Sequence, residues 1–258
     1  MYLKEFQRLV EIMQRLRKEC PWDREQTPQS LRQYILEEAY ETVEAIDKND
    51  WDELRKELGD LLLQIVFQAE IAEEENRFTL EDVIRHINEK MIVRHPHVFG
   101  DVKVENAEQV KENWEQIKQR SENKKSVLDG VPLQLSALLR AQRLQDKASH
   151  VGFDWDKPSE VLEKIKEEIE ELENSQSQEE REEEIGDLLF SLVNLCRFYH
   201  ISAEDALRKT IAKFISRFQY IERELRKQRR SFDSVTLKEM DQLWEEAKDN
   251  HNKSAEGK

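Results

Sequence analysis

The sequence predicts an all-α fold built from two tandem helical-bundle units, and three observations carry that expectation. Glycine and proline are scarce, 6 and 5 in a chain of 258 residues, while Glu, Lys, Leu, Gln, Arg and Ala abound. Such a composition favours long helices with few turns. Apolar residues recur at helical spacing throughout, and no segment alternates as a half-buried strand does. Finally, the chain repeats itself. The stretch from Glu57 to Val66 (ELGDLLLQIV) aligns with that from Glu184 to Val193 (EIGDLLFSLV) at an offset of 127, with six of ten positions identical.

The repeat has six landmarks in one order. Trp22-Asp23 matches Trp155-Asp156, and Glu37-Glu38-x-x-Glu41 matches Glu167-Glu168-x-x-Glu171. The Glu-x-Gly-Asp stretches follow. Thr79-x-x-Asp82 then matches Ser202-x-x-Asp205, both reading as capping-box helix starts. Lys90 and Arg94 match Lys213 and Arg217, and Trp114 with Lys118 matches Trp244 with Lys248. The offsets drift only between 123 and 133. The expected units are therefore residues 1–119 and 132–250, joined by a polar linker at 120–131 and followed by a disordered tail at 251–258.

Within each unit the helices are read in order. MYLKEFQRLVEIM opens as an amphipathic helix. Ser30 is expected to start a second, with Leu31, Ile35, Ala39, Val43 and Ile46 on one stripe. A third carries Leu58, Leu62, Ile65 and Ala69, and a fourth runs from Thr79 to about Arg94. The second unit repeats the pattern with Val161, Ile165, Ile169 and Leu172, then Ile185, Leu189 and Leu192. A unit of about 110 such charged residues needs a partner to bury both faces, so a homodimer is expected.

The net charge of −15 argues against duplex nucleic acid and anionic membranes as partners. No apolar run is long enough to span a bilayer, and the N-terminus does not read as a signal peptide. Two cysteines, Cys20 and Cys196, form no CxxC motif, so the cytoplasm is the expected compartment.

The carboxylates carry the chemistry. Positions i, i+3 and i+4 are neighbours on a helix, so Glu38 and Glu41 project together, as do Glu57 and Asp60. Two antiparallel helices would then gather four acids at one seam. Like charges in such a cluster repel, by about 0.2–0.5 kcal/mol per exposed pair, and a divalent cation removes the conflict. An all-oxygen set suits Mg²⁺ or Mn²⁺ rather than Zn²⁺. One motif alone is weak evidence, because EExxE occurs a third time at Glu179-Glu180-x-x-Glu183. The repeated, ordered combination is stronger. Gly59 and Gly186 stand beside the acids inside helices, which suggests close helix approach there. A di-iron bundle would need Glu-x-x-His pairs, and none of the six His lies three residues after a Glu.

Together these residues resemble the MazG family of nucleoside triphosphate pyrophosphohydrolases. Cys20-Pro-Trp-Asp23, Gln26-Thr27, Ser30-Leu31, Tyr34, EEAYE, RHPHVFGD at 94–101 and LRAQRLQDKASHVGFDW at 139–155 carry the likeness over nearly the whole chain. Pro28 and Ser136 depart from residues common in the family, which touches loops rather than acids. The resemblance implies an all-α dimer that cleaves (d)NTPs of broad base specificity to (d)NMP and pyrophosphate with Mg²⁺. It implies metal ligands at Glu168, Glu171, Glu184 and Asp187, with counterparts at Glu38, Glu41, Glu57 and Asp60. It also implies that Lys164, Lys213, Arg217, Trp244 and Lys248 hold the nucleotide. Glu167 or a neighbouring acid would orient or deprotonate the attacking water. The second unit is expected to be the principal site. The alternatives are a non-catalytic nucleotide-binding or regulatory scaffold, and an all-α dUTP-type pyrophosphohydrolase.

Overall fold

The protein is described from a computed structural model, covering residues 2–106, 109–110, 113–114, 117 and 126–255. Lys118, residues 120–125 of the expected linker and residues 256–258 of the expected tail lie outside the described residues. The described residues form eleven α-helices and one 3₁₀ turn, without a strand. The chain divides into two compact units, Met1–Glu122 and Asn123–Lys258. No helix among the described residues is long and apolar enough to cross a membrane.

The first unit contains α1 (Tyr2–Glu19), α2 (Pro21–Glu25), α3 (Arg32–Lys48), α4 (Trp51–Glu74), α5 (Leu80–Arg94) and α6 (Pro96–Phe99). A two-residue turn folds α4 back along α3. Asn49 takes the left-handed conformation, φ 54°, and its amide donates to the carbonyls of Ala45 and Ile46; Asn tolerates that conformation better than most residues. Asp50 then caps α4, its carboxylate accepting from the amides of Asp52 (3.2 Å) and Glu53 (3.0 Å). Met13, Leu31, Val66, Phe67 and Ile71 form the core of the unit. The buried Arg17 guanidinium donates to the Glu74 carboxylate and to the carbonyls of Asp23 and Gln26, tying α1, the α2 turn and the end of α4 together.

Two local expectations are corrected here. Ser30 does not cap α3, because its hydroxyl is engaged with Thr27 and Gln26 in the preceding turn; Leu31 holds the cap position. The buried face of α3 is Leu31, Thr42 and Ala45, while Ile46 is exposed. A small polar Thr fits that seam because its hydroxyl donates to the Glu38 carbonyl at 2.8 Å.

The second unit contains α7 (Ala137–Ser149), α8 (Pro158–Asn174), α9 (Gln178–Phe198), α10 (Ala203–Lys227), a 3₁₀ turn (Phe232–Ser234) and α11 (Leu237–Ala255). The turn at 175–177 folds α9 back along α8. Ser177 and Glu180 form a full capping box at the start of α9, which gives the third EExxE string its role: Glu180 closes a helix end. Thr79 and Asp82 form the expected box at α5, whereas Ser202 makes only the half in which it accepts from the Asp205 amide. Val127, within the segment expected as a linker, accepts from Lys147 Nζ at 3.2 Å, so that segment packs on the second unit.

Candidate active site

In each unit the acids come from one helical hairpin. Glu38 and Glu41 on α3 meet Glu57 on α4, and Glu168 and Glu171 on α8 meet Glu184 on α9. In both sets one carboxylate oxygen from each residue lies within 4.8 Å of the others. Spacing of i, i+3 along one helix supplies the pair, and the tight turn brings the third acid opposite. Asp60 and Asp187 stand one turn beyond Glu57 and Glu184 and lie outside the 4.8 Å groups, although each still acts electrostatically on its set.

The clusters are charged against their surroundings. Burial raises the Glu38 carboxyl above the ordinary range, with Asp60 and Glu41 adding to it. Burial, then Glu41, does the same to Glu57. Burial, then Glu171 and Glu168, does the same to Glu184. Glu168 is only 3% exposed. In each set one carboxylate is buried, one half-buried and one exposed, and gathered carboxylates that repel one another and offer oxygen alone could hold a metal ion.

The two sets differ in one neighbour. Lys164, one turn before Glu168, places Nζ 2.8 Å from Glu168 and 2.9 Å from Glu167. Hydrogen bonds to Glu168 and then Glu167 raise the affinity of its amine for the proton. Glu167 itself points to the exposed side of that pair. The same position in the first unit, four residues before Glu38, is Tyr34, whose ring lies edge-on to Trp22 at 6.1 Å. The difference is present in the aligned repeat but is invisible when the acids alone are compared.

Of the second cluster, Glu168 lines a cavity of about 800 Å³, whereas Glu171 and Glu184 are not among its lining residues. Lys164, Glu168 and Asp187 line one part, and Phe153, Trp155, Phe190, Gln145, Asn194 and Arg197 line the rest. Arg197 is held by the Asp154 carboxylate and by Asn194 Oδ1. Gln145, Asn194 and Arg197 are not among the site residues expected from sequence, although Gln145 falls within the string at 139–155.

The expected nucleotide contacts other than Lys164 lie elsewhere. Lys213 and Arg217 are on α10, and Trp244 and Lys248 are on α11; none of the four lines the cavity. Arg217 stacks over the Trp244 ring at 5.4 Å, and Phe214 packs on the same ring at 5.3 Å. Lys248 pairs with Glu245. The first unit makes the equivalent stack, Arg94 over Trp114 at 5.0 Å, with Arg94 buried. The repeated Arg–Trp pair therefore joins helices in both units. Gly59 and Gly186 are not points of close approach: a Cβ at either would meet no atom within 4 Å. Each occupies an open face of its helix, which corrects the expectation of tight packing there.

A two-unit helical protein with a three-carboxylate cluster at the seam of each hairpin is the class that this geometry defines. A MazG nucleotide pyrophosphohydrolase domain matches residues 26–99 and 157–221, one match over each cluster. Nucleoside triphosphate pyrophosphohydrolase/pyrophosphatase MazG of Thermotoga maritima is 47% identical over 247 residues, 94% of this chain and 95% of that protein. Nucleoside triphosphate pyrophosphohydrolase of Escherichia coli (strain K12) is 44% identical over 257 residues, 95% of this chain and 98% of that protein. The uncharacterized protein YabN of Bacillus subtilis is 47% identical over 91% of this chain, which spans 49% of it. The chain belongs to the MazG nucleotide pyrophosphohydrolase family.

Proposed function

We propose that this protein hydrolyses nucleoside triphosphates to the monophosphate and pyrophosphate, with the second unit as the principal site. The observation that carries the reading is the Glu168, Glu171 and Glu184 cluster, of which Glu168, with Lys164 and Asp187, lines a cavity large enough for a nucleotide. The names of the relatives from Thermotoga maritima and Escherichia coli support the substrate class.

Glu168, Glu171 and Glu184, with Asp187 close by, would hold Mg²⁺, or Mn²⁺ in its place. Bound there, the ion neutralises triphosphate oxygens and the charge that develops as the anhydride breaks. The protein's own groups do the rest. Lys164 fixes the Glu168 carboxylate, bonds Glu167 and offers its one remaining N–H to a phosphate oxygen in the cavity. Glu167, held by the same amine and open to solvent, or a neighbouring acid would orient the attacking water or take its proton. Asp187 brings a further carboxylate to the cavity wall. In the first unit, Glu38, Glu41 and Glu57, with Asp60, would bind the cation without the amine, making that unit regulatory or a weaker enzyme.

Further parts of the reading rest on surfaces. Ile185, Leu189 and Leu192 are exposed along α9, and Leu58, Leu62 and Ile65 repeat them along α4. A second copy of the chain would cover these stripes as a homodimer, and light scattering giving a monomer mass would refute it. The acidic charge disfavours nucleic acid, and the free cysteines suit the cytoplasm.

Release of pyrophosphate from a panel of NTPs and dNTPs, including dUTP, tests the activity. Glu171→Ala should lower turnover by at least about a hundredfold, as loss of a metal ligand does, and Glu41→Ala by far less. Full activity in Glu171→Ala overturns the assignment of the site. Absence of any monophosphate product from the wild type leaves a nucleotide-binding scaffold instead.

A further inference from the structure

One face of α9 forms a wall of the second unit's cavity. Asp187, Phe190, Asn194 and Arg197 all line it, spaced at i, i+3, i+7 and i+10. Asp187 marks the acidic end, with Glu168. The helical rise sets Asn194 roughly 10 Å and Arg197 roughly 15 Å further along the axis. A nucleotide whose phosphates rest at the acidic end, with its sugar lying along α9, brings its base to that level. Trp155 and Phe190 add flat apolar wall for a planar ring.

The polar groups at the far end fix one another. Arg197 donates to Asn194 Oδ1 from Nε at 3.1 Å and from Nη2 at 2.9 Å, and Nη2 also donates to Asp154 Oδ1. A guanidinium only donates, so the Asn194 amide must turn its oxygen to Arg197 and keep its Nδ2 N–H groups for another partner. Among the described residues nothing accepts from Asn194 Nδ2 or Arg197 Nη1, and neither atom is shut off from solvent. Asp154 Oδ1 accepts in addition from the Trp155 amide at 2.9 Å, whereas Oδ2 receives no hydrogen bond among the described residues. Asn194, Arg197 and Asp154 all line the cavity. Its far end thus offers two held donors, Nδ2 and Nη1, beside one held acceptor, Oδ2.

We propose that Asn194, Arg197 and Asp154 read the base of the substrate and favour bases that carry a ring carbonyl beside a ring N–H. This rests on the reading of the second unit as the nucleotide site. Guanine, hypoxanthine and uracil have that pair: the carbonyl accepts from Asn194 Nδ2 or Arg197 Nη1, and the N–H donates to Asp154 Oδ2. Adenine and cytosine carry the reverse, an amino group beside a bare ring nitrogen. Donor then meets donor and acceptor meets acceptor, which disfavours them.

The test compares ITP with ATP, whose bases differ only at that edge. The wild type should favour ITP in kcat/KM by at least about tenfold, because ATP leaves the held groups unpaired. Asn194→Asp keeps the shape and the bond from Arg197 but puts an acceptor where Nδ2 stood, so the ratio should fall to one or below. Arg197→Lys keeps a cation beside Asp154 and removes Nη1, and should lower the ratio too. A wild-type ratio near one, or one favouring ATP, overturns the proposal whether or not either variant folds. A ratio preserved in both variants overturns it as well. If the wild type hydrolyses neither nucleotide, the function proposed above fails instead, and the two failures are thus distinguishable.

Discussion

Removing one carboxylate from the second cluster should have opposite effects on stability with and without the divalent cation. In Glu171→Gln the charge that acts most strongly on Glu184 is gone, so the metal-free protein should be as stable as the wild type or more so. With Mg²⁺ the order reverses. A ligand at one hundred times its Kd stabilises the state that binds it by about 2.7 kcal/mol. For a unit the size of Asn123–Lys258, at about 4 °C per kcal/mol, that raises its unfolding midpoint by roughly 10 °C. Loss of one of three gathered ligands weakens binding by at least about a hundredfold. At the same Mg²⁺ concentration the variant then gains only about 0.4 kcal/mol, or 1–2 °C. Thermal unfolding followed by circular dichroism, in EDTA and across a Mg²⁺ titration, reads both limbs. A Glu171→Gln protein that keeps the whole Mg²⁺ shift would refute the placement of the cation, and one that is less stable in EDTA would refute the electrostatic reasoning.

The pH dependence follows from the same groups. Glu38, Glu57 and Glu184 hold their protons more tightly in the folded state than near the ordinary value of 4.5. Their contribution to stability is therefore complete below that value and is lost as pH rises through the raised folded values. Urea unfolding in EDTA should show this part of the stability falling from pH 4.5 toward neutrality, and replacing all three by Gln should flatten the profile; an unchanged profile would count against it. At Gly186, the open space that an added Cβ would meet predicts that Gly186→Ala stabilises α9 by about 0.5–1 kcal/mol. A loss of stability in urea unfolding would show that another molecule approaches that face.

Much of the fold was legible because the repeat made each unit a control on the other. The Glu-x-Gly-Asp stretch found α4 and α9, and the Thr79 signal placed the start of α5. The faces were harder. Leu58, Leu62 and Ile65 look like a core stripe, yet they are exposed, while Val66, Phe67 and Ile71 from the same helix form the core. A helix apolar on more than one side does not say which side its own unit buries. The acids were readable because i, i+3 spacing is a property of the helix itself. The bond from Gln145 to the Phe190 carbonyl was not, because it forms only when α9 comes beside α7. The surroundings of Trp244 were hidden for a related reason. The repeat named Arg217 and Trp244 on separate helices, and that the one stacks over the other depends on how α10 meets α11.

The difference between the units is best understood at one position. Both keep three gathered carboxylates, so both retain the electrostatic conflict that a cation resolves. Such conflict lowers the stability of the metal-free fold, and nothing in packing alone calls for keeping it twice. What the first unit lacks is the amine. Tyr34 turns its ring toward Trp22 and packs against the core that contains Met13 and Leu31. Lys164 instead leaves its charge on Glu168 at the edge of a cavity. An aromatic there adds buried apolar area, and an ammonium adds a donor for phosphate. On the function proposed above, the first unit retains groups for binding a cation while the neighbouring position serves stability, and in the second that position would serve chemistry. The same hairpin can serve both because its turn and caps, Asn49 with Asp50 and Ser177 with Glu180, do not involve residue 34 or 164.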